Sequence, residues 1–171
     1  ANVPKPASSA SSSGAQSGSG LVHEPSALQG ASSPASSSAA PASTQPVSGK
    51  VLNAYSGDEL VYSSTLGDWR THNGVDYACA QDAQVCAPAA GNVTAVDTDS
   101  RWGSVVCIED SAAPVRVCGT AGPTVQTGDE VSVGQILGRA GSIPNECAEE
   151  THIHLEVLQG EQYLDPAKLL N

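Results

Sequence analysis

Residues 125–138 decide the fold class, and they read Val125-Gln126-Thr127-Gly128-Asp129-Glu130-Val131-Ser132-Val133-Gly134-Gln135-Ile136-Leu137-Gly138. Gly128-Asp129 is a turn signal, because glycine and aspartate favour the backbone conformations that tight turns need. The apolar residues Val131, Val133 and Ile136 then fall at positions that we expect to face inward from short strands. The stretch therefore predicts a strand, a turn and a second strand.

The same sequence pattern extends over residues 50–171, where short apolar and β-branched runs alternate with turn residues every 8–12 positions. This spacing is typical of small antiparallel β proteins. The chain ends with a helix signal, since Asp165 can cap a helix and Pro166 suits its first position. We predict an all-β domain of antiparallel sheets with one short C-terminal helix, and strands at 60–63, 75–79, 91–96, 103–108, 115–118, 135–140 and 152–158.

Residues 125–138 also resemble the hammerhead of barrel-sandwich folds, a duplicated hybrid motif shared with biotinyl and lipoyl carrier domains. Those carriers hold their prosthetic group on a lysine at a hairpin tip. Within residues 50–171 the only lysines are Lys50 and Lys168, one at each end. The barrel-sandwich arrangement is therefore our fold prediction, and carrier function is disfavoured.

Composition changes sharply at Lys50. Of residues 1–49, 36 are Ser, Ala, Pro or Gly, and the segment has no aromatic residue. It cannot bury enough apolar area to offset the entropy lost on ordering. We predict that 1–49 is a disordered tether and that 50–171 is the folded domain. The tether suggests either a wall-facing domain spaced from a membrane anchor upstream, or a simple interdomain or cloning linker.

Charge excludes two classes of partner. The chain has 7 basic and 18 acidic residues, a formal net charge of −11. Nucleic-acid binding requires clustered cations that replace phosphate counterions, and anionic membranes would repel this chain. No stretch approaches about 20 apolar residues, so we expect no membrane insertion of the chain itself.

Three histidines lie in two compact motifs. In His72-Asn73-Gly74-Val75-Asp76, an extended chain would separate the histidine and aspartate by about 13 Å, so Asn73-Gly74 must bend the chain. In His152-Ile153-His154, a strand places both imidazoles on one face, about 6.5–7 Å apart. One imidazole can then bind a metal while the other lies just beyond it.

Together the motifs offer two nitrogens and one carboxylate, and three protein ligands with a place for water are typical of catalytic zinc. Zinc lowers the pKa of its bound water and polarises a carbonyl. The remaining imidazole can move protons or stabilise an oxyanion. The two motifs together predict a metal site.

These motifs, with the Gly-Asp-x-Val-x-x-Gly-Gln-x-Leu-Gly run, resemble in order those of the lysostaphin/LytM-type zinc endopeptidases that cut peptidoglycan cross-links. The resemblance covers about residues 50–171. It implies Zn²⁺ held by His72, Asp76 and His154, and His152 as a catalytic base or oxyanion-stabilising residue. Residues 60–72 further resemble a clostridial-type subgroup that includes the sporulation-channel Q protein, an anchored assembly module.

One family feature is missing. A second catalytic histidine normally precedes the hammerhead strand, and here Gly119 or Cys118 takes its place. Two functions therefore remain: a zinc endopeptidase acting on peptidoglycan peptides, with weak or lost hydrolysis, or a zinc-binding but non-hydrolytic assembly module with an envelope protein partner. Both imply a location outside the cytoplasm, in the cell envelope. Asp110 and Glu150 are possible substitutes for the missing imidazole.

Five cysteines leave at least one unpaired. Hairpin pairing would place Cys107 opposite Cys118 and Cys79 opposite Cys86, close enough for disulfides in an oxidising compartment. Cys147 is then a loop thiol or a residue at the edge of the metal site.

Overall fold

The structure is a computed structural model, and it describes residues 42–110 and 112–170. The predicted tether falls mostly on residues 1–41, which lie outside this range. Within the described residues no helix is long and apolar enough to cross a bilayer.

Short strands dominate the described residues, as the sequence predicts. The single α-helix is α1, Pro166–Leu169, and a 3₁₀ turn spans Pro144–Glu146. The strands are β1 Val51–Asn53, β2 Val61–Ser63, β3 Asp68–Arg70, β4 Val75–Ala78, β5 Gln84–Cys86, β6 Gly91–Asp99, β7 Gly103–Glu109, β8 Val115–Cys118, β9 Thr120–Ala121, β10 Glu130–Val131, β11 Ile136–Ala140, β12 His152–Gln159 and β13 Gln162–Leu164.

The strands form one large sheet, one small sheet and a hairpin. The eight-stranded sheet has the order β1-β4-β12-β8-β7-β6-β10, with β13 paired to the far end of β12. The small sheet is β5-β11-β9, and β2 pairs with β3. All these pairings are antiparallel. The prediction of antiparallel sheets is confirmed, and the described strands do not close into a barrel.

Strand β12 lies between β4 and β8 and is buried on both faces. Ile153 and Leu155 are fully buried in the apolar core. His152, His154 and Glu156 alternate with them and are also buried. Because successive side chains of a strand point to opposite faces, these three polar residues share the face away from the core.

The predicted turn at Gly128-Asp129 is present. The prediction that Val131, Val133 and Ile136 all face inward is partly wrong. Val131 is buried, whereas Ile136 is 42% exposed and Leu137 is fully buried. The cause is a register shift in the β11–β5 pairing between Ile136 and Gly138, preceded by Gly134 at a positive φ of 79°. A glycine turn and a bulge break the alternation that the sequence suggests.

Residues 43–49 contact the domain that follows them. The Thr44 amide donates to Pro88 O and the Cys86 amide donates to Pro46 O, both at 2.8 Å. Val47 is buried in the core. The ordered segment therefore begins several residues before Lys50.

The C-terminal helix begins as its sequence signal indicates. The Asp165 carboxylate accepts a hydrogen bond from the Ala167 amide at 3.0 Å, and Pro166 opens α1.

Both predicted cysteine pairings are wrong. Cys107 lies opposite Arg116, and Cys118 lies opposite Val105. Cys79 follows β4 and Cys86 lies in β5, and these strands belong to different sheets. All five cysteines are unpaired. The register of a β hairpin depends on its loop length, and the loop between β7 and β8 shifts the pairing by two residues.

Candidate metal centre

Two strands of the large sheet bring Asp76 and His154 together. These residues are direct cross-strand neighbours in β4 and β12. His154 Nδ1 lies 2.6 Å from Asp76 Oδ1, and both side chains are fully buried. Asn53 in β1 donates to the other carboxylate oxygen, Oδ2, at 2.9 Å. The sheet therefore fixes the orientation of this pair.

His72 reaches the same point from the loop before β4. Its Nε2 lies 3.2 Å from Asp76 Oδ1 and 3.3 Å from His154 Nδ1. Its Nδ1 lies 2.9 Å from Ala54 O, and its amide donates to Ser56 Oγ at 2.8 Å. The segment after β1 thus clamps the loop histidine against the strand-borne aspartate.

Gly74 allows the approach, but for a reason that differs from the prediction. We expected its tolerance of positive φ to matter, yet Gly74 is not among the positive-φ glycines. Instead, a Cβ at this position would lie 2.5 Å from Leu155 O and 2.7 Å from His154 Nε2. The missing side chain lets the loop lie against β12.

The donor atoms fit a divalent metal. His72 Nδ1–H donates to Ala54 O, so Nε2 keeps its lone pair in the neutral ring. His154 Nε2 is buried without a hydrogen-bond partner, and it lies 3.5 Å from Glu156 Oε1. If Nδ1 of His154 binds a metal, Nε2 carries the proton and faces that carboxylate, which is the usual arrangement behind a ligating histidine.

The structure adds a carboxylate that the motifs do not contain. Glu146 belongs to the 3₁₀ turn, and its Oε1 lies 3.6 Å from His72 Nε2 and 3.5 Å from His154 Nδ1. Four residues, His72, Asp76, Glu146 and His154, offer ligand atoms within 4.8 Å of one another. The only sequence signal is an acidic residue in a Pro-initiated turn shortly before the HxH motif.

His152 lies beside this group and contacts it through Glu146. Its Nδ1 lies 2.7 Å from Glu150 O, so that nitrogen carries the proton. Its Nε2 lies 3.0 Å from Glu146 Oε2. The first imidazole of the HxH motif therefore stands next to the ligand atoms without joining them, as the strand spacing predicts.

The substitutes expected for the missing imidazole are not in this group. The Glu150 side chain is exposed and pairs with Lys50 at 3.1 Å. Asp110 follows β7 and is absent from the set of possible ligands. Cys147 is exposed and contributes no ligand atom to this group. Of the two roles expected for it, a loop thiol or a residue at the edge of the metal site, the structure favours the loop thiol.

Opposite charges at the centre shift the pKa values of its groups. Burial would lower the pKa of His72, but hydrogen bonds with Asp76 and Glu146 outweigh it and raise the pKa to about 10. Burial would also lower the pKa of His154, but its interactions with the Asp76 and Glu156 carboxylates outweigh burial and raise the pKa to about 9. Burial opposes ionisation of Asp76, but the two imidazoles hold its pKa well below the usual range. In the metal-free protein the carboxylates therefore hold the pKa values of both imidazoles above their usual range.

These shifts predict that the metal-free protein loses stability in mild alkali. Imidazoles with a pKa of about 9 and about 10 in the folded state and about 6.5 in the unfolded state contribute fully below pH 6.5. Their contribution disappears as the pH rises through the folded-state values, at roughly 1 kcal/mol per pH unit for each proton retained. Urea unfolding of chelated protein at pH 7 and pH 9.5 measures this. Equal free energies of unfolding, or an equal decrease in a His72→Gln variant, would contradict it.

A groove of about 460 Å³ opens over the centre. His72, Asp76 and Glu146 contribute to its floor, and Tyr62 and Leu66 of the β2–β3 hairpin region line one side. The Trp102 ring stacks on His154 with centroids 4.3 Å apart. The centre is therefore reachable by an extended ligand while its ligand atoms stay largely buried.

The two positions where the family resemblance expects a second histidine are tightly packed. Gly119 has a φ of 85°, and a Cβ there would lie 2.8 Å from Ile143 Cγ1. Cys118, the other aligned position, is fully buried and lies opposite His154. A histidine at position 119 would strain the backbone and displace Ile143.

A comparison with protein-family profiles matches the part of the chain that carries these residues. A profile described as peptidase family M23 matches residues 70–166, which is more than half of the chain. The match includes all four residues of the His72, Asp76, His152 and His154 motifs.

Solved structures share the fold. A chain from the crystal structure of the SpoIIIAH and SpoIIQ complex superposes with a TM-score of 0.64 at 20% identity, covering 74% of this chain and 99% of the other. A zinc-containing peptidase from Vibrio cholerae superposes with a TM-score of 0.62 at 24% sequence identity, covering 72% of this chain and 39% of the other. The catalytic domain of the antimicrobial peptidase lysostaphin from Staphylococcus simulans has a TM-score of 0.58 at 22% sequence identity, covering 71% of this chain and 91% of the other.

Proposed function

The chain belongs to peptidase family M23, and from this we propose that residues 50–171 form a zinc metalloendopeptidase-like domain that acts on the peptide cross-links of peptidoglycan. The observation that carries the proposal is the convergence of His72, Asp76 and His154 beneath an open groove. These three residues would hold Zn²⁺. The metal, when bound, would polarise a peptide carbonyl and lower the pKa of a water.

His152 is the residue we assign to proton transfer or oxyanion stabilisation. Its Nδ1–H donates to Glu150 O, and its Nε2, which lies 3.0 Å from Glu146 Oε2, becomes available to a substrate when that carboxylate turns away. Apolar, aromatic and charged side chains all line the groove, which suits an extended peptide. We place the domain in the cell envelope, with the residues before position 42 as a tether to an anchor upstream.

A second function has its own supporting observation. Gly119 leaves no room for the imidazole that family enzymes use, so this chain keeps one of two such groups. The fold is also that of a chain in the SpoIIIAH–SpoIIQ complex, which is an assembly of two proteins. A zinc-binding module with an envelope protein partner and little or no hydrolysis is therefore the alternative.

Purified protein, with its zinc quantified, should be tested on peptidoglycan and on short Gly and Ala-Gly cross-bridge peptides. We expect bound zinc and hydrolysis at least about 10²-fold slower than that of a family enzyme with both histidines. His152→Ala should abolish what remains without removing the metal. Robust cleavage by the wild type would overturn the expected weakness, and a zinc-free wild type would overturn the proposed site.

A further inference from the structure

The loop that carries Glu146 takes the place of the missing histidine. Ile143 is buried, and its side chain occupies the space that a side chain at position 119 would need. The 3₁₀ turn follows directly and is held by the Asn145 amide, which donates to Arg101 O at 2.9 Å. A glycine at 119 thus allows the turn to lie over the metal centre and to present Glu146 to it.

We propose that Glu146 is the fourth ligand of the metal and closes the coordination position that catalytic zinc sites leave open to water. The proposal rests on the zinc site proposed above. It makes the resting centre a closed site with four protein ligands, His72, Asp76, His154 and Glu146. Closed four-coordinate sites are typical of structural rather than catalytic zinc.

Distances favour a ligand over a general base. Four atoms placed tetrahedrally at about 2.0–2.1 Å from a zinc ion lie about 3.3–3.4 Å from one another. Glu146 Oε1 lies 3.5 Å from His154 Nδ1 and 3.6 Å from His72 Nε2, close to this separation. A base acting through a metal-bound water would lie a further hydrogen bond away, about 2.7 Å beyond the water.

The net charge of the zinc centre also favours Glu146 as a ligand. Zn²⁺ with two neutral imidazoles and Asp76 alone would leave a net positive charge in a site where Asp76 and His154 are fully buried. The Glu146 carboxylate makes the centre neutral, which removes the cost of burying an uncompensated charge. Its second oxygen remains 3.0 Å from His152 Nε2 and so holds the turn in place.

Cobalt-substituted protein tests this without an activity assay. A closed Co²⁺ site should show a visible spectrum that azide does not change, because no coordination position is free. Glu146→Gln and Glu146→Ala should each open a position, so that azide changes the spectrum, and should weaken zinc binding about 10²-fold. Glu149→Ala is the matched control, since Glu149 is an exposed carboxylate of the same loop that bonds Ser64.

An azide response in the wild type equal to that of the two variants would overturn the ligand assignment. So would unchanged zinc affinity in Glu146→Ala, provided that the variant keeps its fold by circular dichroism. A wild type that binds no metal at all would instead overturn the zinc site itself. The two failures are therefore distinguishable.

Discussion

Asp76→Asn should lower the affinity of the protein for zinc about 10²–10³-fold. Structural zinc sites with four ligands bind with about 10–16 kcal/mol, so one ligand contributes about 2.5–4 kcal/mol, and each 1.4 kcal/mol is a factor of ten. Asparagine keeps the size of the side chain but loses the charge. Asp76 is fully buried and contacts the imidazoles of both His72 and His154, so the substitution removes a charge from the middle of the proposed ligand set.

Competition with a chromophoric chelator measures this affinity, and elemental analysis of the purified protein checks the metal content. His152→Ala is the informative comparison, because His152 lies on the same strand face as His154 but outside the set of ligand atoms. It should keep a near-normal zinc content, because His72, Asp76 and His154 all remain, although losing its bond to Glu146 Oε2 should lower the zinc affinity by less than Asp76→Asn does. Loss of zinc in His152→Ala with retention in His154→Ala would show that the roles of the two histidines are reversed.

Most strands were predictable because apolar and polar residues alternate along them with the two-residue period of a β-strand. The predicted run 115–118 coincides with β8, and 152–158 differs from β12 by one residue. The strands that the pattern misses, such as β9 and β10, are two residues long, and a two-residue strand has no period to detect. Ile136 faces outward because a bulge and a glycine turn reverse the alternation, and neither is visible in the hydrophobic pattern.

The site was predictable only where its residues lie on one strand or one tight loop. His72, Asp76 and the HxH pair carry their spacing in the sequence. Glu146 joins them through Ile143, whose side chain fills the space above Gly119. That contact depends on tertiary packing, so the sequence pattern does not reveal this carboxylate.

Behind the metal centre, Arg116 and Glu156 form an ion pair that supports both the sheet and His154. They are cross-strand neighbours in β8 and β12, and Arg116 Nη1 donates to Glu156 Oε2. The Glu156 side chain is 1% exposed, and its Oε1 lies 3.5 Å from His154 Nε2. A carboxylate this deeply buried depends on its cation, because an unpaired charge in the interior is costly.

Arg116→Met should therefore destabilise the domain by about 3–5 kcal/mol. Methionine preserves most of the length and apolar volume of arginine, so the loss arises mainly from leaving the Glu156 carboxylate unpaired. Urea unfolding at pH 7 gives the free energy of unfolding directly. Arg101→Met serves as the control, since Arg101 is 65% exposed and its pair with Asp99 should contribute less than about 1 kcal/mol.

The double variant Arg116→Met/Glu156→Leu separates the cost of an unpaired charge from a loss of packing. Replacing a buried ion pair with apolar residues is often neutral, so the double variant should recover most of the stability that Arg116→Met loses. Its His154 Nε2 would still lack the facing carboxylate, and zinc affinity should stay about 10-fold or more below wild type, the usual effect of removing the group behind a ligating histidine. Recovered stability with weakened zinc binding would assign the pair a positioning role at the metal centre. A double variant no more stable than Arg116→Met would contradict the unpaired charge as the cause.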